Sequence, residues 1–151
     1  MGIDDLLKEM RGKSIGLDTM CFIYAFENNP TFIGLVEPIF RAIESGDVKA
    51  ITSIITVTEC LVRPMEAGDI ALVAKYEAIF RHFPNLYVSS PTLDIAKGAA
   101  EIRVAYKVRT PDAIQLSTSL HHGVAFFITN DMPLKRIHDV AVVQLNDLLK
   151  A

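Results

Sequence analysis

The chain has 151 residues, half of them hydrophobic, with 15 basic side chains against 18 acidic ones and a formal net charge of −3. That is enough chain to bury one core, and it is too apolar for intrinsic disorder. A pI near 5.8 excludes a global basic field, so any nucleic-acid binding has to be local or metal-assisted.

The N-terminal stretch MGIDDLLKEMRGK is acidic and amphipathic, unlike a secretory signal. Leu6 stands where a myristoylation signal carries Ser or Thr. Asp18, Glu59 and Asp131 cut the longest apolar runs well below the roughly 18 residues of a membrane span, so no membrane association is expected. With only Cys21 and Cys60 available, a disulfide scaffold is not expected, and a reducing cytoplasm is. Both cysteines read as small core residues. No linker, low-complexity tract or internal repeat interrupts the chain, which predicts one domain over residues 1–151.

Short β-branched or aromatic runs predict strands at Lys13–Asp18, Val48–Ser53, Leu86–Ser89, Ala125–Thr129 and Val140–Leu145. Amphipathic helices fall between them. Thr31–Ser45 has Phe32, Leu35, Val36, Ile39, Phe40 and Ile43 at helical spacing, with a kink or restart expected at Glu37-Pro38. Ile70–Phe83 and Thr92–Tyr106 follow, the latter capped by Ser90 or Thr92. Thr110-Pro111-Asp112 has the form of a helix start, with Thr as N-cap and Pro in the first position. His121-His122 before Gly123 reads as the helix end, and Asp94 as an ordinary first-turn acid. Strands alternating with helices imply parallel pairing and an α/β sandwich with helices on both faces.

Four acids stand where such elements meet. Asp18 ends the first strand, Glu59 follows the second, Asp112 opens a late helix, and Asp131 follows the fourth strand. Strand ends and helix starts of an open parallel sheet share one rim, where ligands bind. Two carboxylates about 4 Å apart repel by roughly 4 kcal/mol at an effective dielectric near 20. Four together therefore call for protons or a divalent cation, and hard oxygen donors suit Mg²⁺ or Mn²⁺. The histidines and cysteines show no zinc-ligand spacing. Capping alone explains Asp112 or Asp131 as well as function does. Asp18 is different, because an unpartnered carboxylate ending an apolar strand is expensive to bury.

In order, Gly16-Leu17-Asp18-Thr19, Thr56-Val57-Thr58-Glu59, Thr110-Pro111-Asp112-Ala113-Ile114-Gln115-Leu116 and Phe127-Ile128-Thr129-Asn130-Asp131 resemble the motifs of PIN-domain ribonucleases. The likeness is greatest to the VapC-type toxins of VapBC toxin–antitoxin pairs, and it runs from about Ser14 to Val143. One departure is local: Met132-Pro133-Leu134 replace the further acid and aromatic that many relatives carry after the last motif. The resemblance implies a three-layer α/β/α sandwich around a mostly parallel sheet of about five strands. It also implies Mg²⁺- or Mn²⁺-dependent hydrolysis of RNA phosphodiesters, in which the cation activates water and stabilises developing charge. Asp18 and Asp112 are then the expected direct ligands, with Glu59 and Asp131 ligating directly or through water, or with Glu59 helping to orient the attacking water. Gln115 and Ser119, on one helix face with Asp112, and Thr19, Thr129 and Asn130 become supporting residues.

Basic residues flank three of the acids, and Arg63, Lys107, Arg109 and Lys135 are the candidate RNA contacts. The implied partners are RNA and a separately encoded antitoxin. A homodimer is also expected, since Thr31–Ser45 and Ile70–Phe83 carry more large apolar residues than a small sheet needs. Its check is the mass by light scattering at tens of micromolar, where a monomer would refute it. Two alternatives stay open: an RNA-processing nuclease without an antitoxin, and an inactive PIN-like binding module.

Overall fold

The structure is a computed structural model that describes residues 1–150. Its strands are β1 (Ser14–Leu17), β2 (Lys49–Ser53), β3 (Leu86–Ser89), β4 (Phe126–Thr129) and β5 (Ala141–Gln144). They pair in the order β3-β2-β1-β4-β5, and every pairing is parallel. The expected five-stranded α/β/α sandwich is therefore the fold, with a sheet parallel throughout. Each strand lies within one or two residues of its expected bounds, because a doubly covered parallel strand has to be apolar along its length.

Helices cover both faces: α1 (Ile3–Met10), α2 (Thr19–Phe26), α3 (Ile33–Ser45), α4 (Ile54–Glu66), α5 (Ile70–His82), α6 (Leu93–Tyr106), α7 (Thr110–His121) and the short α8 (Leu145–Leu149). Strand alternation divides the core in two. Ile15, Leu17 and Ile128 point into the larger cluster, with Phe22, Val36, Ile39, Phe40, Ile43 and Tyr76. Phe127 points into the smaller one, with Ala113, Leu116, Leu134 and Ile137. In the larger cluster the Phe22 ring meets those of Phe40 and Phe80, both at 5.2 Å between centroids. Fully burying one such ring contributes about 1.5–3 kcal/mol.

Three local expectations change, and the cap of α6 is decided between the two residues expected for it. α3 runs unbroken through Pro38. The carbonyl that Pro38 cannot bond belongs to the exposed Gly34, so water can satisfy it. α7 begins one residue early, with Arg109 rather than Thr110 at the N-cap and Pro111 still in the first turn. Thr92, not Ser90, caps α6 by accepting from the Ile95 amide at 3.2 Å. The apolar residues of α3 and α5 do not form a spare face: Leu35, Val36, Ile39, Phe40, Ile43, Tyr76 and Ile79 are all buried in the protomer's own core. The core thus takes up most of the apolar residues from which the dimer is expected, while Ile70 at the start of α5 stays exposed. Cys21 and Cys60 are free and buried, as expected of core residues.

Candidate active site

The chain leaves β1, builds β2 and β3 on one side, then returns to place β4 and β5 on the other. The crevice at the carboxyl end of β1 is thus a topological switch point, where open sheets bind ligands. Asp18 sits directly in it. It follows β1 and is at the same time the N-cap of α2, a helix apolar beyond Thr19 and the Tyr24 hydroxyl, whose lack of a polar face hid it from periodicity. The carboxylate is only 7% exposed. Oδ1 accepts from the Thr19 amide at 2.8 Å, and Oδ2 accepts from the Thr129 hydroxyl at 2.6 Å. Thr129, the last residue of β4, also accepts from the Asp131 amide at 3.1 Å.

Glu59 lies on the exposed side of α4, one turn after Thr56. The Thr19 hydroxyl donates to its Oε1 at 2.7 Å. Behind Thr19 a buried polar chain ties the elements together. Thr56 Oγ1 is 3.3 Å from Thr19 Oγ1 and 2.7 Å from Thr52 Oγ1, and Thr52 donates to the Leu17 carbonyl at 2.8 Å. Gln115 donates through Nε2 to Thr56 and accepts the Ser53 amide at 3.2 Å, so α7 is locked to β2 and α4 together. The sequence predicts no role for Thr52 or Thr56, and Thr56 stands there only as the start of the motif that ends on Glu59. Its spacing, three residues before Glu59 on one helix, is the available signal.

Asp112, 9% exposed in the first turn of α7, accepts from Arg109 Nε at 3.1 Å. Asp131 precedes a 3₁₀ turn (Met132–Arg136) and does not cap it with its side chain, so the capping explanation fails for this acid. Asp18, Thr19, Glu59, Asp112, Asn130 and Asp131 line one cleft of about 440 Å³, with Arg63 and Arg109 at its wall. A cleft of comparable size, about 450 Å³ beside Asp94, Glu101 and His121, contains none of these acids.

The charges in the cleft act on one another. Burial first, and then the charges of Asp112 and Glu59, push the Asp18 carboxyl up to about 6 against its two hydrogen bonds. Burial, and then the Asp112 charge, also raise Asp131, with Arg109 opposing. The Arg109 guanidinium is held more firmly protonated, first by Asp112 and then by Asp131 and Glu59.

Three expected supporting or RNA-binding residues are placed elsewhere. Ser119 lies two turns beyond Asp112 and packs over Gly16 in the middle of β1. Lys135 pairs with Asp147 at 2.9 Å, and Lys107 ends α6 in the left-handed region at φ 56°; neither lines the cleft.

The donor set is all oxygen, with no His or Cys in the lining, and its carboxylates repel one another. This suits a hard divalent cation and not a tetrahedral zinc site. Among the described residues, no group of three or more His, Cys, Asp and Glu side chains is gathered tightly enough to hold an ion as it stands. The acids line one cleft without closing on a point.

An open, all-parallel α/β/α sheet with four acids at its switch point defines the class. Residues 15–140 match the model of the PIN domain, and the chain belongs to that family. No curated protein matches it in sequence. Among solved structures it is similar to VapBC2 from Rickettsia felis, bound to a DNA fragment from its promoter, at TM-score 0.66 and 14% identity, over 87% of this chain and 98% of that one. It is similar also to a toxin–antitoxin complex from Klebsiella pneumoniae, at 0.66 and 21% over 87% and 97%. A third is VapC20 of Mycobacterium tuberculosis, a toxin that cleaves the sarcin–ricin loop, at 0.66 and 15% over 84% and 98%. No helix of the described residues is long and apolar enough to cross a membrane.

Proposed function

We propose that this PIN domain is a Mg²⁺- or Mn²⁺-dependent endoribonuclease that hydrolyses RNA phosphodiester bonds, and that it is the toxin of a toxin–antitoxin pair. The observation that carries the reading is the meeting of Asp18, Glu59, Asp112 and Asp131, from four separate elements, in one cleft. The ion would be held by Asp18 and Asp112, with Glu59 and Asp131 directly or through water. When bound it neutralises the phosphate and makes water a stronger nucleophile. The residues of the chain do the rest. Thr19 orients Glu59, which would in turn orient the attacking water, and Thr129 fixes Asp18. Arg109 and Arg63 offer the positive charge that a net acidic protein needs to hold a polyanion. The likeness to toxin–antitoxin complexes supports an antitoxin partner, and the buried free cysteines suit a reducing cytoplasm. The test is incubation of the chain with labelled RNA in Mg²⁺, in Mn²⁺ and in EDTA. Cleavage only with a divalent ion is expected; intact RNA under all three conditions refutes the nuclease. A neighbouring small reading frame whose product binds the chain and stops cleavage is the test of the toxin assignment.

Arg109 allows a second check. Its side chain is 75% exposed, so the pair with Asp112 contributes no more than about 1 kcal/mol to stability. Arg109→Ala should therefore barely change the melting temperature. With Ca²⁺ present to suppress cleavage, it should weaken RNA binding and flatten the salt dependence by roughly one unit of slope. An unchanged slope removes Arg109 from the RNA contacts.

A further inference from the structure

The turn that carries the last acid is held from the far edge of the sheet. Gln144 ends β5, stands in register with Thr129 of β4, and is 2% exposed. Its Nε2 donates to the main-chain carbonyl of Asp131 at 2.8 Å. The same carbonyl accepts the Leu134 amide at 3.1 Å, which starts the 3₁₀ turn. Two residues on, in the first turn of α8, the Asn146 amide donates to Asn130 Oδ1 at 3.0 Å, and Asn130 Nδ2 donates to the Tyr24 hydroxyl at 3.2 Å. The Asn130–Asp131 turn is thus gripped by β5 and α8 on one side and by α2 on the other.

Gln144 gives an independent reason to look here. Its Oε1 is the one fully buried side-chain polar atom without a partner among the described residues. Leaving a buried acceptor unsatisfied costs about 1–3 kcal/mol, so such a group calls for an explanation. Flipping the amide does not relieve the cost, because it would set Oε1 against the Asp131 carbonyl. An apolar residue of the same length would avoid the penalty. What it lacks is the donor.

We propose that Gln144 is a positioning residue for the last acid: through the Asp131 carbonyl, its amide holds the Asn130–Asp131 turn beside Asp112. The like charges of Asp131 and Asp112 drive the turn outward, and the bond from β5 opposes that. In this chain Met132-Pro133 follow the acid, so the turn brings no further carboxylate of its own, and Asp131 has to be held in place from outside. The inference rests on the metal-dependent reading of the cleft, because a well-placed Asp131 matters most when a cation is to be shared.

Gln144→Met removes the donor and the orphaned acceptor together. Its melting temperature in EDTA should equal or exceed that of the unchanged protein. Hydrogen exchange at the Leu134 and Asn146 amides should accelerate in the metal-free variant. Mn²⁺ affinity by calorimetry, and the Mn²⁺ concentration for half-maximal cleavage, should weaken roughly tenfold, as losses of supporting partners do. Gln144→Asn keeps the amide one carbon too short to reach, and should show the same direction if the Met variant fails to fold. Unchanged exchange and unchanged Mn²⁺ affinity in the folded variant overturn the inference. If the unchanged protein neither binds Mn²⁺ nor cleaves RNA, the reading of the cleft fails instead. The exchange rates then decide on Gln144 alone.

Discussion

Asp18→Asn should abolish RNA cleavage while making the metal-free protein more stable. Loss of a direct ligand removes several kcal/mol of charge stabilisation from the transition state, on the order of a thousandfold in rate. Stability moves the other way. The Asp18 carboxyl is raised from 3.8 to about 6, chiefly by burial. A carboxyl raised in the folded state favours folding fully below the unfolded value and loses that contribution as pH rises through the folded one. At pH 7 the folded protein therefore carries a strained charge costing about 1–3 kcal/mol. Asn removes the charge, still accepts the Thr19 amide through Oδ1, and is as good an N-cap as Asp. In EDTA at pH 7 the variant should melt several degrees higher. The gap should close as pH falls from 7 towards 4, because the unchanged protein then protonates Asp18 itself. Adding Mn²⁺ should reverse the order by stabilising only the protein that binds it. Full activity of the variant at matched Mn²⁺, or a markedly lower melting temperature in EDTA, overturns the assignment.

A second large effect is expected at Gly16, in the middle of the central strand. A Cβ built there lies 2.1 Å from Ser119 Oγ and 3.1 Å from both Ser119 Cβ and Phe127 Cδ1. The hydroxyl has to leave its place at a cost; the other two contacts sit on packed elements and cannot both yield without moving α7 against the sheet. Gly16→Ala should therefore cost about 2 kcal/mol, near the middle of the range for overpacked cores. For a chain of this size that lowers the melting temperature by roughly 4–8 °C. Ser119→Ala removes the closest contact, so the double variant should recover about 1 kcal/mol relative to the sum of the single changes. Equal stability of Gly16→Ala and the unchanged protein would mean that α7 rides further from β1 than the structure has it. The close approach also explains why Ser119 stands apart from the acids. Here the residue that shares a face with Asp112 and Gln115 serves the helix–sheet contact.

Much of this protein is legible in local pattern. A strand covered on both faces has to be apolar along its length, and the five β-branched or aromatic runs therefore mark β1 to β5 to within a residue or two. Acids at strand ends and helix starts likewise mark the rim, since a carboxylate beside buried chain needs a reason. What the local pattern lacks is information about which distant segments touch. α2 has no polar face to give a period, so Asp18 reads as a strand end until the fold shows it capping a helix. The apolar stripes of α3 and α5 look surplus until the larger core closes over them. That Lys135 pairs with Asp147 shows only when α8 is in place, and Ser119 looks like a neighbour of the acids until α7 is laid across β1. Gln144 carries no signal at all in the sequence. Its role exists only because parallel pairing sets the end of β5 beside the end of β4, so that one amide reaches the Asp131 carbonyl. Burial and periodicity are properties of a segment and survive in the sequence. Contacts between segments far apart in the chain depend on strand order, and only the tertiary structure decides that.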